Sequence, residues 1–197
     1  MSTIYNNIFS ITILNSITPL SKELNNFLSK KITSRYFKKG DFIISSGEIC
    51  DHLYLIRKGL VRGFFDYNGK EVTTWVSVDN ELVTSISGFF KHQPALENIQ
   101  CLEDTYTECL SYEDMHYALG HFKDMAKLNR LLMEHYYLYA EYRSFMARIP
   151  NSLERYDYFT RFVNPETLNR LPKKYLASLL NIRPETLSRL HLDHIKT

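Results

Sequence analysis

The side chains best equipped for chemistry lie near the C-terminal end of the sequence, in the stretch LPKKYLASLLNIRPETLSRL. Lys173, Lys174 and Tyr175 come first, Arg183 follows in mid-stretch, and Glu185, Thr186, Ser188, Arg189 and His191 close it. Lysine, tyrosine and serine donors suit phosphate oxygens, which position a protein on a duplex without reporting its sequence. An arginine can pair with O6 and N7 of a guanine, and a glutamate can accept from the amino group of a cytosine. Covalent and metal chemistry find less support. Cys50, Cys101 and Cys109 are an odd number with no short spacing, which argues against a disulfide framework, a zinc ribbon or an iron–sulfur cluster and leaves them as buried thiols. His52, His92, His116 and His121 are the ligands open to a cupin-like metalloenzyme, yet no His-x-His pair occurs among them. The expectation is therefore a protein that binds rather than catalyses, with no resident metal and no cofactor.

Those C-terminal residues need a rigid mount, and the leucines between them supply it. Lys173–Leu180 and Pro184–Leu192 read as two short helices, with Asn181, Ile182 and Arg183 as the corner. Asn181 tolerates the left-handed backbone that such a corner needs, and Pro184 suits a first helical turn. Leu176, Leu179, Leu180, Ile182, Leu187 and Leu190 form their shared apolar contact, and small Ala177 permits close crossing. The pattern is that of a helix-turn-helix, whose second helix enters the DNA major groove. Before it, Pro150 ends one helix and Asn151 or Ser152 caps another containing Leu153, Tyr156, Phe159 and Phe162, with Pro165 and Glu166 expected to interrupt again.

From Phe122 to Ile149 a long helix is expected. Met125, Leu128, Leu132, His135, Tyr139, Tyr142, Met146 and Ile149 follow alternating three- and four-residue steps, the repeat of a parallel two-helix seam, so these eight residues are expected to form a dimer contact, with His135 satisfied inside it. Leu131, Leu138 and Phe145 make a second stripe beside it, able to pack on another element at the same time. The first half has a different texture. An amphipathic helix over Leu20–Thr33 is followed by short β-branched and aromatic runs, Phe42–Ile44, Leu53–Arg57, Leu60–Tyr67, Glu71–Val78, Ile99–Leu102 and Thr105–Ser111, separated by Gly-containing turns. Asn68-Gly69 is the residue pair of a type I′ hairpin. Strands at such spacing suggest a barrel or a double-sheet jelly roll.

The chain has 197 residues, 44% of them hydrophobic and 23% charged, with a formal net charge of +2. This is an ordinary globular balance that excludes a disordered or collagen-like chain. The charge is unevenly placed: residues 1–119 carry −3, residues 120–150 carry +2 and residues 151–197 carry +3. An anionic partner is thus expected at the C-terminal half. No apolar run reaches the roughly 20 residues of a membrane span and the first residues lack a basic signal-peptide start, so a soluble, cytoplasmic protein is expected, with no membrane partner.

Taken in order, KKGDFIISSGEICDHLYLIRKGLVRGFF with its Asn68-Gly69 hairpin, the long helix and the ending PETLSR resemble the Crp/Fnr family of bacterial transcription regulators over nearly the whole chain. Gly40, Gly47, Glu48, Leu53, Tyr54, Gly59 and Val61 occupy the family's β-roll turn and core positions. The resemblance implies an α+β fold: an N-terminal double-stranded β-helix (jelly roll) with flanking helices at 1–119, a dimerisation helix at 120–150, and a winged-helix-like helix-turn-helix at 151–197. It further implies a homodimer on a palindromic double-stranded operator, with RNA polymerase as a further partner. Glu185 and Arg189 match the base-reading positions, whereas Pro184 replaces an arginine of the family and little chain remains for a wing after the second helix.

The family's nucleotide cassette is not intact. Thr84 and Ser85 stand where a Gly-Glu pair would hold a ribose, and Ala95 where an arginine would hold a cyclic phosphate. A buried anion needs a cation and donors, so cAMP and cGMP are not expected to bind in the usual way. Leu82, Thr84, Ser85, Ile86, Phe89, Ala95 and Leu96 are left as the pocket of another, unidentified small effector. The competing expectation is a sensor module that grips another protein through the tyrosine-rich segment 135–142, with vestigial DNA binding.

Overall fold

The computed structural model describes residues 8–194, with side chains as far as Arg189. Two helices, α1 (Phe9–Ile17) and α2 (Lys22–Lys31), precede the β region. Helix α2 starts where its sequence directs: the Ser21 side chain accepts from the Leu24 amide, and Leu24 and Leu28 are buried one turn apart. Helix α1 has no cap of its own. The carboxylate of Glu108 instead accepts from the amides of Phe9 at 3.1 Å and Ser10 at 2.6 Å, so a residue about a hundred positions away satisfies its first turn.

Eight strands follow: β1 (Thr33–Phe37), β2 (Phe42–Ile44), β3 (His52–Lys58), β4 (Leu60–Tyr67), β5 (Lys70–Val78), β6 (Leu82–Val83), β7 (Asn98–Cys101) and β8 (Thr105–Ser111), with the short helix α3 (Ile86–Lys91) between β6 and β7. They form two four-stranded antiparallel sheets, ordered β1-β8-β3-β6 and β2-β7-β4-β5. The β4–β5 hairpin turns at Asn68 and Gly69, both at positive φ (51° and 74°). A bulge falls between Gly63 and Phe64, and a Cβ on Gly63 would lie 2.1 Å from the indole of Trp75. Glycine is therefore what lets Trp75 cross its neighbouring strand.

The remaining chain is helical: α4 (Tyr112–His121), α5 (Lys123–Arg148), α6 (Ser152–Phe162), α7 (Pro165–Arg170), α8 (Lys173–Leu179) and α9 (Pro184–His194). Two helix starts here add to the expected pattern. Helix α4 begins within the stretch expected to precede the long helix, because Ser111 caps it by accepting from the Asp114 amide. Pro165 opens α7 rather than merely interrupting, since proline suits a first turn and Asn164 caps the helix by accepting from the Glu166 amide.

One core fills the space between the sheets, α2 and the first half of α5, and includes Ile56, Val61, Phe89, Ile99, Met125, Leu128 and Leu132. A second joins Leu60, Val78 and Leu102 of the β region to Met146, Tyr156, Phe159, Leu171, Leu176, Leu180 and Leu187. The C-terminal helices therefore share a hydrophobic core with the sheets. Each such large side chain contributes about 1.5–3 kcal/mol by leaving water, so this docking is a substantial part of the fold.

The eight-residue seam expected on the long helix is redistributed by these cores. Met125, Leu128, Leu132 and Met146 are buried within their own chain, and the helix turns that stripe inward because the sheets offer the larger apolar surface. Tyr139, Tyr142 and Ile149 are partly buried, and His135 is exposed, packed on the Tyr139 ring at 4.8 Å rather than satisfied in a core. The outward apolar residues of α5 are Leu138 and Phe145 of the second stripe, at 47% and 51% exposure, together with Tyr137.

Candidate functional site

The two-helix corner is built from local signals and then locked from outside. At the end of α8 the Asn181 amide donates to Ser178 O and the Ile182 amide to Ala177 O, each at 3.0 Å, while Asn181 takes φ 50°. Leu176, Ala177, Leu179, Leu180 and Leu187 are buried at the crossing. Arg155 of α6 then clamps the corner. Its guanidinium donates to Leu180 O (2.5 Å) and Asn181 O (3.2 Å) on one side, and to Ile149 O (2.9 Å) and Pro150 O (3.2 Å) on the other. A buried arginine between four backbone carbonyls ties the corner to the end of α5, and its role is invisible in a sequence pattern.

Around this mount Lys173, Lys174, Arg183, Glu185, Ser188 and Arg189 are exposed and Thr186 is half-buried. Glu185 and Arg189 stand one turn apart on α9. The Ser188 hydroxyl donates to Pro184 O within its own helix. The side chain of His191 lies outside the described residues. Tyr175, expected to meet phosphate, instead covers the β region. Its ring lies over the guanidinium of Arg62 at 4.0 Å, and Phe64 stacks on the same group at 4.0 Å. Arg62 is only 2% exposed and also donates to Gln100, Thr73 and Glu71. Ser178 of α8 accepts from the Thr73 amide and donates to Glu71 O, covering part of the free edge of β5. Arg170 of α7 bridges Asp79 and Glu103, whose hydrogen bonds, Glu103 first, hold its charge more firmly than usual.

The residues expected to line an effector pocket do not stay together. Phe89 and Ala95 are buried in the β interior, and Leu96 is 72% exposed. The Thr84 hydroxyl donates to His52 O at 3.0 Å and meets Cys50 Sγ at 3.2 Å, while the buried Ser85 hydroxyl has no hydrogen-bond partner. Leu82, Thr84 and Ile86 do face an open space, a cleft of about 160 Å³ walled by β5, β6, α3, α5 and α6. Sequence reasoning missed most of that wall, which includes Trp75, Glu81, Asn129, Tyr136, Tyr139, Tyr142, Arg143 and Phe162. Trp75 Nε1 donates to Glu97 at 2.8 Å, and the Tyr136 hydroxyl both accepts from and donates to the Leu82 backbone. Burial pushes the Glu81 and Glu97 carboxyls up and the Arg143 guanidinium down, with Glu97 and Arg143 partly restoring each other's charge.

The histidines open to a metal reading are scattered. His52 meets Arg35 and Asp51, His92 ends α3 at positive φ, and His116 and His121 stack on Tyr112 and Tyr117. Among the described residues no group of three or more His, Cys, Asp or Glu side chains could hold a metal ion. No described helix is long and apolar enough to cross a membrane.

Residues 34–120 match the cyclic nucleotide-binding domain. No curated protein matches the chain in sequence. Solved structures match much more of it. FixK2 from Bradyrhizobium japonicum superposes with a TM-score of 0.70 at 17% identity, covering 84% of this chain and 85% of that one. The c-di-GMP-responsive global regulator CLP of Xanthomonas campestris gives 0.68 at 13% identity, covering 89% and 92%. The Thermus thermophilus catabolite activator protein gives 0.54 at 20%, covering 93% and 87%. At such identities the likeness is one of fold, and it extends beyond the matched domain into the C-terminal helices.

Proposed function

We propose that this chain is a homodimeric, sequence-specific DNA-binding transcription regulator of the Crp/Fnr type, in which the β region biases the orientation of a C-terminal helix-turn-helix. The observation that carries the reading is the corner itself. Arg155 fixes α8 and α9 to the end of the long helix, and Lys173, Lys174, Arg183, Glu185 and Arg189 project from that mount into solvent. The strand order of the two sheets fits a jelly roll. For the dimer, Leu138 and Phe145 take over as the contact to a second copy, since most of the inner stripe already packs on its own chain. Half-sites on a duplex lie about 34 Å apart, so two such stalks must hold their α9 helices at that separation. Ala95 leaves the cassette without its phosphate cation, which speaks against cAMP and cGMP as effectors in the usual mode.

Genomic fragments retained by the purified protein, sequenced and assembled into a motif, test the reading directly. Within a retained site Arg189→Ala is expected to cost about 1–3 kcal/mol at one base position, while Lys174→Ala weakens every sequence and lowers the salt slope by about one. Sedimentation of Leu138→Glu reports the dimer, which should fall to monomer. Equal losses on all sequences for both DNA variants would overturn the assigned roles.

A further inference from the structure

We propose that the cleft between β5, α5 and α6 is a binding site for a small aromatic amine. Its size suits one ring. At about 160 Å³ the cleft is close to the roughly 150 Å³ cavity that holds one benzene molecule. That space accommodates a single substituted ring. The walls are mainly apolar and aromatic, with Trp75, Tyr139, Tyr142 and Phe162 on three different elements. Such faces attract a cation through their quadrupoles, as well as a flat ring through dispersion.

The polar groups in the cleft choose the functional group. Glu81 lines it, held by the Val78 amide at 3.3 Å, and among the described residues no lysine, arginine or histidine pairs with it. Asn129 lines it too, but its unpartnered carbonyl oxygen is buried away from the open space. The Glu81 carboxylate is the acceptor of the site. Arg143, the cation of the wall, is attracted by the Glu97 carboxylate. With Arg143 set against Glu97, the Glu81 carboxylate is left without a cation, and a protonated amine supplies one where a carboxylate or phosphate does not. Burial already disfavours the Glu81 anion, so an incoming ammonium removes a cost of the empty site.

Location gives the ligand an effect. The cleft touches the β region, the long helix and α6, and α6 carries the Arg155 clamp. This regulatory consequence rests on the DNA-binding reading, whereas occupancy of the cleft does not. A ligand wedged between Trp75 and Phe162 changes the balance between docked and undocked C-terminal helices only through its different affinity for the two.

Trp75 is the single tryptophan of the chain, so its emission reports occupancy. Phenethylamine, its neutral relative ethylbenzene and its anionic relative 3-phenylpropionate are titrated against the full chain, without DNA. Phenethylamine is expected to change the emission saturably and to bind about tenfold or more tightly than either relative. Glu81→Gln should abolish most of that preference, with thermal melts of the variant showing the folded state. Tight binding of 3-phenylpropionate, an undiminished preference in folded Glu81→Gln, or no saturable change with millimolar phenethylamine would each overturn the proposal. DNA retention is measured separately on the same protein. Its loss beside intact amine binding counts against the regulator reading and leaves the site standing.

Discussion

Replacing Arg62 with alanine should be among the most damaging single changes in the chain, although Arg62 belongs to no expected site. Its guanidinium lies between the rings of Phe64 and Tyr175, each at 4.0 Å, and donates to Gln100 at 3.1 and 2.8 Å as well as to Thr73 and Glu71. Two desolvated cation–π contacts contribute on the order of 1–2 kcal/mol each. The hydrogen bonds add roughly 1 kcal/mol apiece, and removal leaves the Gln100 oxygen without them. Glu71 is half exposed and regains water, which places the total below the full cost of stranding a buried charge. Because these contributions share one guanidinium they do not add in full, and the expected loss is at least about 3 kcal/mol, read as a lowered urea midpoint at unchanged slope. A double-mutant cycle with Tyr175→Ala should return a coupling of about 1–2 kcal/mol, because the two residues share a contact between β4 and α8. Hydrogen exchange at the Thr73 amide, which donates to Ser178, should quicken in both single variants. A loss under about 1 kcal/mol, or a coupling of zero, would refute the view that this stack fastens the C-terminal helices to the sheets.

Three further changes probe other parts of the argument. Asn181→Ala should lower stability by about 1 kcal/mol in thermal melts while Asn181→Gly leaves it unchanged or higher, since the corner holds this residue at φ 50°. Glu81 has its carboxyl pushed up, chiefly by burial, so the folded state takes its proton more readily than the unfolded chain does; the resulting stability is present at low pH and is lost as pH rises through the raised value. Glu81→Gln should therefore melt higher than the parent at about pH 7.5, with the difference shrinking toward about pH 4. Arg170→Ala, which releases Asp79 and Glu103, should cost about 1–2 kcal/mol, and the loss should shrink at high salt because all three groups are partly exposed.

Much of the local architecture was legible from residue types alone. Asn68-Gly69 specified a hairpin because few other pairs accept positive φ at both positions, and Asn181 specified the corner for the same reason. Ser21 and Asn151 marked helix starts because their side chains reach amides two or three residues onward. Phi angles and caps of this kind involve partners within one turn, so the sequence carries them without reference to the rest of the chain. The placing of Glu185 and Arg189 one turn apart on α9 belongs to the same class.

What the tertiary structure alone decided is every choice between distant partners. Helix α1 begins where Glu108 reaches its amides, and nothing within α1 announces that. The long helix carries two apolar stripes, and periodicity cannot say which of them meets the sheets; the sheets, by offering apolar area, drew Met125, Leu128, Leu132 and Met146 inward and left Leu138 and Phe145 outside. Tyr175 reads as a phosphate contact until Arg62 appears beneath its ring, and Arg155 reads as an ordinary helix-surface charge until four carbonyls from two chain segments close around it. The cleft likewise exists only where β5, α5 and α6 meet, assembled from side chains scattered from Leu53 to Leu179. A linear pattern fixes which backbone conformations are accessible, but burial, charge pairing and cavities depend on which surfaces meet, and that is set by the whole chain folding at once.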